Sequence, residues 1–498
     1  MVNGKGDVFD FVNVAKAMNT LQKVAKRGKG EREWKLEGKR LSEDPRFARL
    51  IDSVRVNCPR FRGREGANVL HALAVLHADI GAAVVDEELA AQLGEFVQRE
   101  ARAMNSFDVT NSLNALGKLE AATTAVSTTG WTGLTGAVGR TASKMNPQDV
   151  ANTLNALCKI EAAATAVLPS GWAGLAMAAE RTACEMKPQE VANTLNALSK
   201  LKAAAAAMSP MGWAGLAMAA ERTAREMKPQ EVSISLNALS KLEAAAAAVL
   251  PSGWAGLAKA AERTALEMNP LDVANTHNAL CKLEAAAAAV SPAGWAGLAQ
   301  AAERTASQMT PQEVANTLNA LSKLKAAAAA VSPEGWAGLA KAAERTAREM
   351  KPQEVASTLN AQCKLEAAAA VVSPEGWAGL AKAAERTARE MNPQDVANTL
   401  NAFTKLHAVE AVVSPAGWAG LAEAAERTAN MMNEQEVSNS LHALGVLPAA
   451  AAELSTAALT LLEAAAEREA PTMTAAERRM TLWGCEKLKL RIPIALSE

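Results

Sequence analysis

The stretch from Met309 to Glu349, MTPQEVANTLNALSKLKAAAAAVSPEGWAGLAKAAERTARE, decides the fold of this chain. Close copies precede and follow it. One tryptophan in each copy lies 41 residues from the next, at Trp131, Trp172, Trp213, Trp254, Trp295, Trp336, Trp377 and Trp418. A leucine keeps the same step at Leu113, Leu154, Leu195, Leu236, Leu318, Leu359, Leu400 and Leu441, and His277 takes the one slot that is not leucine. A fixed period of this length is typical of a solenoid.

Each copy contains the signals for two helices. Thr310 is a good helix cap, Pro311 suits the first turn, and Glu313 completes a capping-box pattern. The alanine run Ala326–Ala330 favours helix and is expected to extend this first helix. Ser332-Pro333 then predicts the start of a second helix.

Apolar residues in both helices recur at helical spacing. Val314, Leu318, Leu321 and Leu324 form one stripe on the first helix, and Trp336 anchors a stripe on the second. One hairpin cannot bury both stripes, whereas stacked neighbours can. The sequence therefore predicts an all-α fold, an α-solenoid superhelix of tandem two-helix repeats with a period of 41 residues. We expect the tryptophans to pack in its core.

The charged side chains of the second helix are expected on its solvent face. Glu344 and Arg348 have the i,i+4 spacing of an ion pair, and the Glu and Arg residues of the other copies recur in the same way. We interpret them as solvated ion pairs.

The ends of the array differ from its middle. Residues 1–65 form a basic region with a divergent first repeat and a charged insert, Arg27–Asp44, predicted to be a loop. Residues 61–103 are a divergent repeat, residues 104–431 are eight regular repeats, and residues 432–498 hold a decayed repeat and a half-repeat cap. A solenoid needs modified terminal repeats to close its core.

Composition excludes several classes of protein. The chain has no Tyr and seven Phe, which does not suit a β architecture, and no apolar run is long enough to span a membrane. The first residues, MVNGKGDVFDF, resemble neither a signal peptide nor a transit peptide. Six separated cysteines predict reduced thiols in an intracellular compartment, and no cluster has metal-ligand spacing, so we expect neither metal nor cofactor.

Charge is spread unevenly along the chain. Residues 1–65 carry sixteen Lys and Arg against nine Asp and Glu, a net charge of +7, and the remaining residues carry −8. A uniformly basic nucleic-acid sleeve is therefore excluded. The GWAG segments lack the lysine and strand context of a phosphate loop, and Ser332-type residues are caps rather than nucleophiles. We expect no catalytic residues, no enzymatic activity and no small-molecule substrate.

Three segments resemble the octotricopeptide-repeat family: TLWGCEKL at Thr481–Leu488, PQEVANTLNALSKL in the interior, and DPRFARLIDSV near the start. The pattern is also similar to the wider group of organellar RNA-binding helical-repeat proteins that includes FAST-kinase-like and RAP proteins. In that family Trp follows the Thr-Leu pair, as Trp483 does, whereas the interior copies carry Asn. The resemblance covers about Val12 to Leu488. It implies a chloroplast or mitochondrial protein that binds RNA, in transcript stabilisation, processing, translation or an organellar ribosome.

A polar row runs along the first helix, opposite the apolar stripe. Gln312, Asn316, Asn319 and Lys323 lie within about 60° of one another at 100° per residue. We expect this row on the concave surface, where amides can contact bases and lysines can neutralise phosphates. The candidate RNA-binding residues are Asn152, Asn155, Lys159, Asn193, Asn196, Lys200, Asn237, Lys241, Asn275, Asn278, Lys282, Asn316, Asn319, Lys323, Asn360, Lys364, Asn398, Asn401 and Lys405.

Two other interpretations of this row stay open. The amides could form a structural ladder that bonds one repeat to the next, or the groove could hold a peptide or a partner subunit in a protein-binding scaffold. Because the row is nearly identical from copy to copy, the interior repeats are expected to discriminate RNA sequences weakly. Any sequence specificity or anchoring would then come from residues 1–65.

Overall fold

The computed structural model describes residues 10–25, 40–80 and 84–497. Within these ranges the chain is built from helices and contains no strand. The helices recur every 41 residues along the interior, which confirms the predicted all-α array of tandem repeats. In the same ranges, no helix combines the length and the apolar composition needed to cross a bilayer.

The first helix of the repeat quoted above runs from Pro311 to Leu321. The Thr310 hydroxyl accepts a hydrogen bond from the Glu313 backbone N–H at 3.4 Å, and the Glu313 carboxylate accepts one from the Thr310 N–H at 2.8 Å. These reciprocal bonds satisfy two donors that a helix start leaves unpaired. The first helices of the array have these bounds: Ser106–Leu116, Pro147–Leu157, Pro188–Leu198, Pro229–Leu239, Pro270–Leu280, Pro311–Leu321, Pro352–Gln362, Pro393–Phe403 and Glu434–Val446.

The alanine run does not extend the first helix as predicted. The backbone leaves the helix at Leu324, whose φ is −100° and ψ is 85°, and a separate short helix covers Lys325–Ala330. This short helix packs against the second helix of the preceding repeat and buries Ala327. Helix propensity favours helix in the alanine run without setting its direction, and this contact decides it. The short helices are Glu120–Ala125, Glu161–Ala166, Lys202–Ala206, Glu243–Ala248, Glu284–Ala288, Lys325–Ala330, Glu366–Ala369, His407–Glu410 and Pro448–Ala452.

The second helix begins at a serine cap. The Ser332 hydroxyl accepts a hydrogen bond from the Gly335 N–H at 2.9 Å, and the helix continues through Thr346 into a 3₁₀ turn. Trp336 and Leu339 are buried, as are the other seven repeat tryptophans, so these side chains belong to the core. The second helices are Thr128–Thr141, Pro169–Thr182, Pro210–Thr223, Pro251–Thr264, Pro292–Thr305, Pro333–Thr346, Pro374–Thr387, Pro415–Thr428 and Thr456–Glu469.

The predicted ion pair between Glu344 and Arg348 is wrong. The Glu344 carboxylate instead accepts a hydrogen bond from the hydroxyl of Ser373, the cap of the next second helix, at 3.0 Å. Arg345 donates to the carbonyl oxygen of Met309 in its own repeat's opening turn. A hydrogen bond to a positioned hydroxyl or carbonyl is retained in preference to an exposed ion pair, which contributes little.

The chain divides into two units, one of residues 1–227 with 238–256 and the other of residues 228–237 with 257–498. Within each unit the first helices pack on one another in sequence order and the second helices do the same, so each unit is two layers of helices. The apolar stripes meet between these layers and form a continuous core.

Divergent helices lie at both ends. The helices Phe11–Ala25 and Pro45–Asn57 form the first hairpin, in which Phe47, Ile51 and Val54 are buried as expected while Leu50 is half-buried. The predicted loop Arg27–Asp44 lies largely outside the described residues. The other terminal helices are Gly63–Ile80, Glu87–Glu100, Ala475–Leu488 and Ile494–Ser497, and short 3₁₀ turns include Cys58–Arg60 and Ala101–Ala103.

Candidate nucleic-acid interface

The candidate residues share the open side of the first-helix layer. On the helix Pro311–Leu321, Val314 and Leu318 are buried, whereas Asn316 and Asn319 are half-buried and Lys323 is exposed. The other regular repeats follow this pattern, with every candidate lysine exposed and every candidate asparagine half-buried except Asn360, which is buried. Neighbouring first helices pack side by side, so within each unit these side chains form a continuous strip, which we call the amide–lysine row.

The amide groups of the row have unused hydrogen-bonding capacity. Among the described residues, ten of the row's asparagines make no side-chain hydrogen bond to another protein atom; only their backbone carbonyls are used, as when Ser322 donates to the Asn319 carbonyl at 2.8 Å. The structural-ladder interpretation requires amides that bond one another, and these amides do not. Half-buried amides without partners can bond an added ligand. The ten residues are Asn152, Asn155, Asn193, Asn196, Asn275, Asn278, Asn316, Asn319, Asn398 and Asn401.

The lysines of consecutive repeats lie near one another. Burial raises the pKa of the Cys158 thiol, and the charges of Lys200 in the next repeat and of Lys159 in its own oppose that increase. The same arrangement surrounds two other thiols: Cys281 lies between Lys282 and Lys323, and Cys363 lies between Lys364 and Lys405. Within each unit, ammonium groups of adjacent repeats therefore act on a common point, as a polyanion-binding strip requires.

Positive charge varies along the row. In two repeats a second exposed lysine follows two residues later, as Lys202 does after Lys200 and Lys325 does after Lys323. In other repeats an exposed glutamate takes that place, as Glu284 does after Lys282. The row is therefore most basic in the repeats that contain Lys200 and Lys323.

The row changes chemistry at its C-terminal end. His442 and Trp483 occupy the slot that Asn319 fills 123 and 164 residues earlier, and their ring centroids are 5.0 Å apart. Lys487 lies with its Nζ 5.4 Å from the Trp483 ring centroid, and Trp483 is half-buried, unlike the core tryptophans. Aromatic rings of this kind can stack on a nucleobase.

Interruptions of the row are structural in origin. Ile234 and Ser357 replace asparagine, as the sequence indicates. His277 replaces the buried leucine of its repeat, and its Nδ1 lies 2.9 Å from the Val273 carbonyl oxygen while its Nε2 has no partner. Burial lowers the pKa of His277, which keeps the imidazole neutral. This histidine belongs to the core rather than to the row.

Chemistry of other kinds is not assembled in the described part of the chain. In residues 10–25, 40–80 and 84–497, no three His, Cys, Asp or Glu side chains come together in a group that could hold a metal ion. The acidic residues of the first helices are used in caps: the Asp272 carboxylate, for example, accepts hydrogen bonds from the Ser233 hydroxyl and the Asn269 N–H.

Comparison with known proteins gives one sequence match. The family described as "Protein of unknown function (DUF1601)" matches five segments, residues 134–154, 176–195, 297–318, 338–359 and 380–400. Each segment begins on a second helix and ends on the next first helix. The search of curated proteins found no match.

Several solved helical assemblies share a weak similarity with the chain. A homology model of the AP-3 complex is 10% identical over 96% of this chain and 86% of that one, with a TM-score of 0.27. Kap121p bound to Pho4p is 11% identical with a TM-score of 0.26, and the match covers 93% of this chain but only 54% of Kap121p. A circular tandem repeat protein is 13% identical over 96% of both chains, with a TM-score of 0.20. Similarities this weak support no conclusion about the chain.

Proposed function

We propose that this helical-repeat protein binds single-stranded RNA along the amide–lysine row and has no catalytic activity of its own. The observation that carries the proposal is the absence of protein partners for ten half-buried asparagine amides, in a strip that also presents exposed lysines. A purely structural row would bond its amides internally, because a polar group removed from water without a partner costs free energy.

The binding mode follows from the two residue types. The lysines contact phosphates, which supplies most of the affinity without selecting a sequence. The amides donate to and accept from base edges or 2′-hydroxyl groups. Because most repeats present the same amides, RNA sequences are discriminated weakly by the interior. Trp483 adds a stacking position at one end of the row.

The biological setting rests on the octotricopeptide-repeat resemblance. We propose a role in organellar gene expression, in transcript stabilisation, processing or translation, or as a component of an organellar ribosome. Imaging of the tagged full-length protein tests this part, and a distribution outside chloroplasts and mitochondria overturns it.

Fluorescence anisotropy with labelled 25-nucleotide single-stranded RNAs of mixed and homopolymeric sequence tests the binding. We expect affinity to fall steeply between 50 and 200 mM salt, with similar affinities for the mixed sequence and the homopolymers. Double-stranded RNA of equal length is the control and is expected to bind more weakly, because its base edges are inaccessible. No binding to any of these RNAs at 50 mM salt overturns the proposal.

A charge-reversal variant locates the site. Lys159, Lys200, Lys282 and Lys323 are replaced together by Glu, which removes two adjacent pairs of row lysines. If each contacts one phosphate, the salt slope falls by about 3 and affinity drops by at least about tenfold. The matched control reverses four exposed charges on second helices and their following turns: Lys259, Lys341, Arg348 and Lys382. Equal losses in both variants would mean that net charge, and not the row, determines binding.

The alternative function is a scaffold that binds a peptide or partner subunit in place of RNA. If the row holds a protein segment, the RNA experiments fail while the Lys-to-Glu variant still loses its partner.

A further inference from the structure

A second surface lies on the second-helix layer, away from the amide–lysine row. Between the helices Pro169–Thr182 and Pro210–Thr223 the structure has a groove of about 620 Å³. Its floor is made of small residues, Ala183, Gly215 and Ala219. The Gly215 position would place a Cβ 3.4 Å from the Ala183 Cβ, so the two helices approach closely there.

The walls of this groove are apolar although they face solvent. Met211 is 72% exposed and Met218 is 59% exposed, and Cys184 is also exposed. Met177, on the first of the two helices, is 66% exposed. Single exposed apolar residues need no explanation, whereas several around one groove mark an interaction site. We call the groove the methionine groove.

The same groove recurs four repeats later with the opposite chemistry. It is lined by Arg348, Glu375 and Lys382 around the same small residues, and its volume is about 380 Å³. The corresponding pairs are Cys184 with Arg348, Met211 with Glu375, and Met218 with Lys382. Both grooves have the same helical surroundings, so folding does not require the methionines.

One carboxylate in the methionine groove lacks the partner that its equivalents have. Six glutamates of this slot bond the serine that caps the next second helix: Glu180, Glu262, Glu303, Glu344, Glu385 and Glu426. Glu221 cannot do so, because Leu250 occupies the serine slot, and it makes no hydrogen bond or ion pair among the described residues. Arg222, which also lines the groove, donates to the Met186 carbonyl oxygen at 2.6 Å. The groove therefore offers one half-buried negative charge without an internal partner.

We propose that the methionine groove binds an amphipathic helical segment of a partner protein, with apolar side chains on Met211 and Met218 and one Lys or Arg on Glu221. A groove between two packed helices with a floor of small residues accepts a third helix. Methionine side chains are flexible and polarisable, which suits them to such docking. The unpartnered carboxylate selects a basic residue beside the apolar ones. This proposal does not depend on RNA binding.

A displayed library of random 14-residue peptides tests the class of ligand. The full-length protein is the target, and the counter-target is the variant C184R/M211E/M218K, which copies the charged groove of the same chain. We expect enrichment of peptides with apolar residues at i, i+3 or i+4, and i+7 together with one Lys or Arg. Circular dichroism and thermal unfolding of the variant should match the original protein, since the charged groove exists elsewhere in the array.

Affinities of the selected peptides test the two contacts separately. Binding to the triple variant should weaken by about tenfold or more. Glu221→Gln should weaken Lys-bearing peptides by about twofold to fivefold, as expected for a partly exposed ion pair, and leave their Lys-to-Gln analogues unchanged. RNA binding by both variants should be unaffected.

Three outcomes would overturn the proposal. The first is a selection that enriches no common pattern, or an acidic one. The second is equal peptide affinity for the original protein and the triple variant. The third is concentration-dependent dimerisation in sedimentation that the triple variant abolishes, which would make a second copy of the chain the occupant.

Discussion

Arg345 donates a hydrogen bond from Nη2 to the carbonyl oxygen of Met309, 36 residues earlier in the chain, at 2.6 Å. The same bond joins an arginine at the end of each second helix to the methionine before a first helix in most of the array. It is found at Arg181–Met145, Arg222–Met186, Arg304–Met268, Arg386–Met350, Arg427–Met391 and Arg468–Met432. These arginines close each hairpin by holding its second helix to the start of its first.

Replacing Arg345 by Met should therefore loosen one hairpin. The substitution removes a charge-assisted hydrogen bond to a backbone carbonyl, and we expect a loss of about 1 kcal/mol in local stability. Hydrogen exchange followed by mass spectrometry measures it as faster exchange in peptides from 309–321 and 333–349. Arg348→Met is the matched control, because the exposed Arg348 makes no hydrogen bond or ion pair among the described residues. Equal acceleration in both variants would contradict the role assigned to Arg345.

The buried His277 should make stability depend on pH. Its imidazole has an unpartnered Nε2, and burial lowers its pKa from the ordinary value of 6.5. The unfolded state therefore binds the proton more readily, so the histidine costs stability as pH falls through about 6.5, by up to about 1.4 kcal/mol per pH unit.

His277→Leu restores the residue that most repeats carry in this slot. It should raise the free energy of unfolding by about 1–3 kcal/mol at pH 7, since an unsatisfied buried acceptor is removed. The gain should grow between pH 7 and pH 5. Thermal unfolding at the two pH values measures the difference between variant and original protein, which cancels the contributions of the other histidines. A gain that stays constant with pH would show that His277 titrates normally.

The asparagines of the row should be dispensable for folding. Replacing Asn316 and Asn319 together by Ala removes two amides without protein partners and introduces a better helix former. We expect the urea midpoint to stay the same or rise slightly, while affinity for single-stranded RNA falls. Thr317→Ala, at the buried neighbouring position, serves as a comparison that changes packing instead of the row. A destabilisation of about 1 kcal/mol or more per asparagine would restore the structural-ladder interpretation.

Much of the local structure could be predicted from residues close together in sequence. The capping box at Thr310 and Glu313 marks the helix start because both partners lie within four residues. The burial of Trp336 follows from its place on an apolar stripe. The break at Leu324 could not be predicted in this way, because alanine favours helix on both sides of it and the contact that bends the chain belongs to another repeat.

The candidate surface divides in the same manner. The helical angle between Asn316, Asn319 and Lys323 predicts that they share a side, and the structure places them on the open one. The exposure of Met211 and the missing partner of Glu221 depend on what the neighbouring repeat presents. A methionine in a slot that other copies fill with Lys or Glu was the available sequence signal.

The 41-residue period by itself determined that the chain is an all-helical array with tryptophan in its core, because stripes and caps act over one or two turns of backbone. The tertiary structure alone decided which polar groups are used. Glu344 and Arg345 have adjacent places in the sequence, yet one bonds forward to Ser373 and the other back to Met309. Such bonds span 29 and 36 residues, and their partners come within reach only when the repeats are packed.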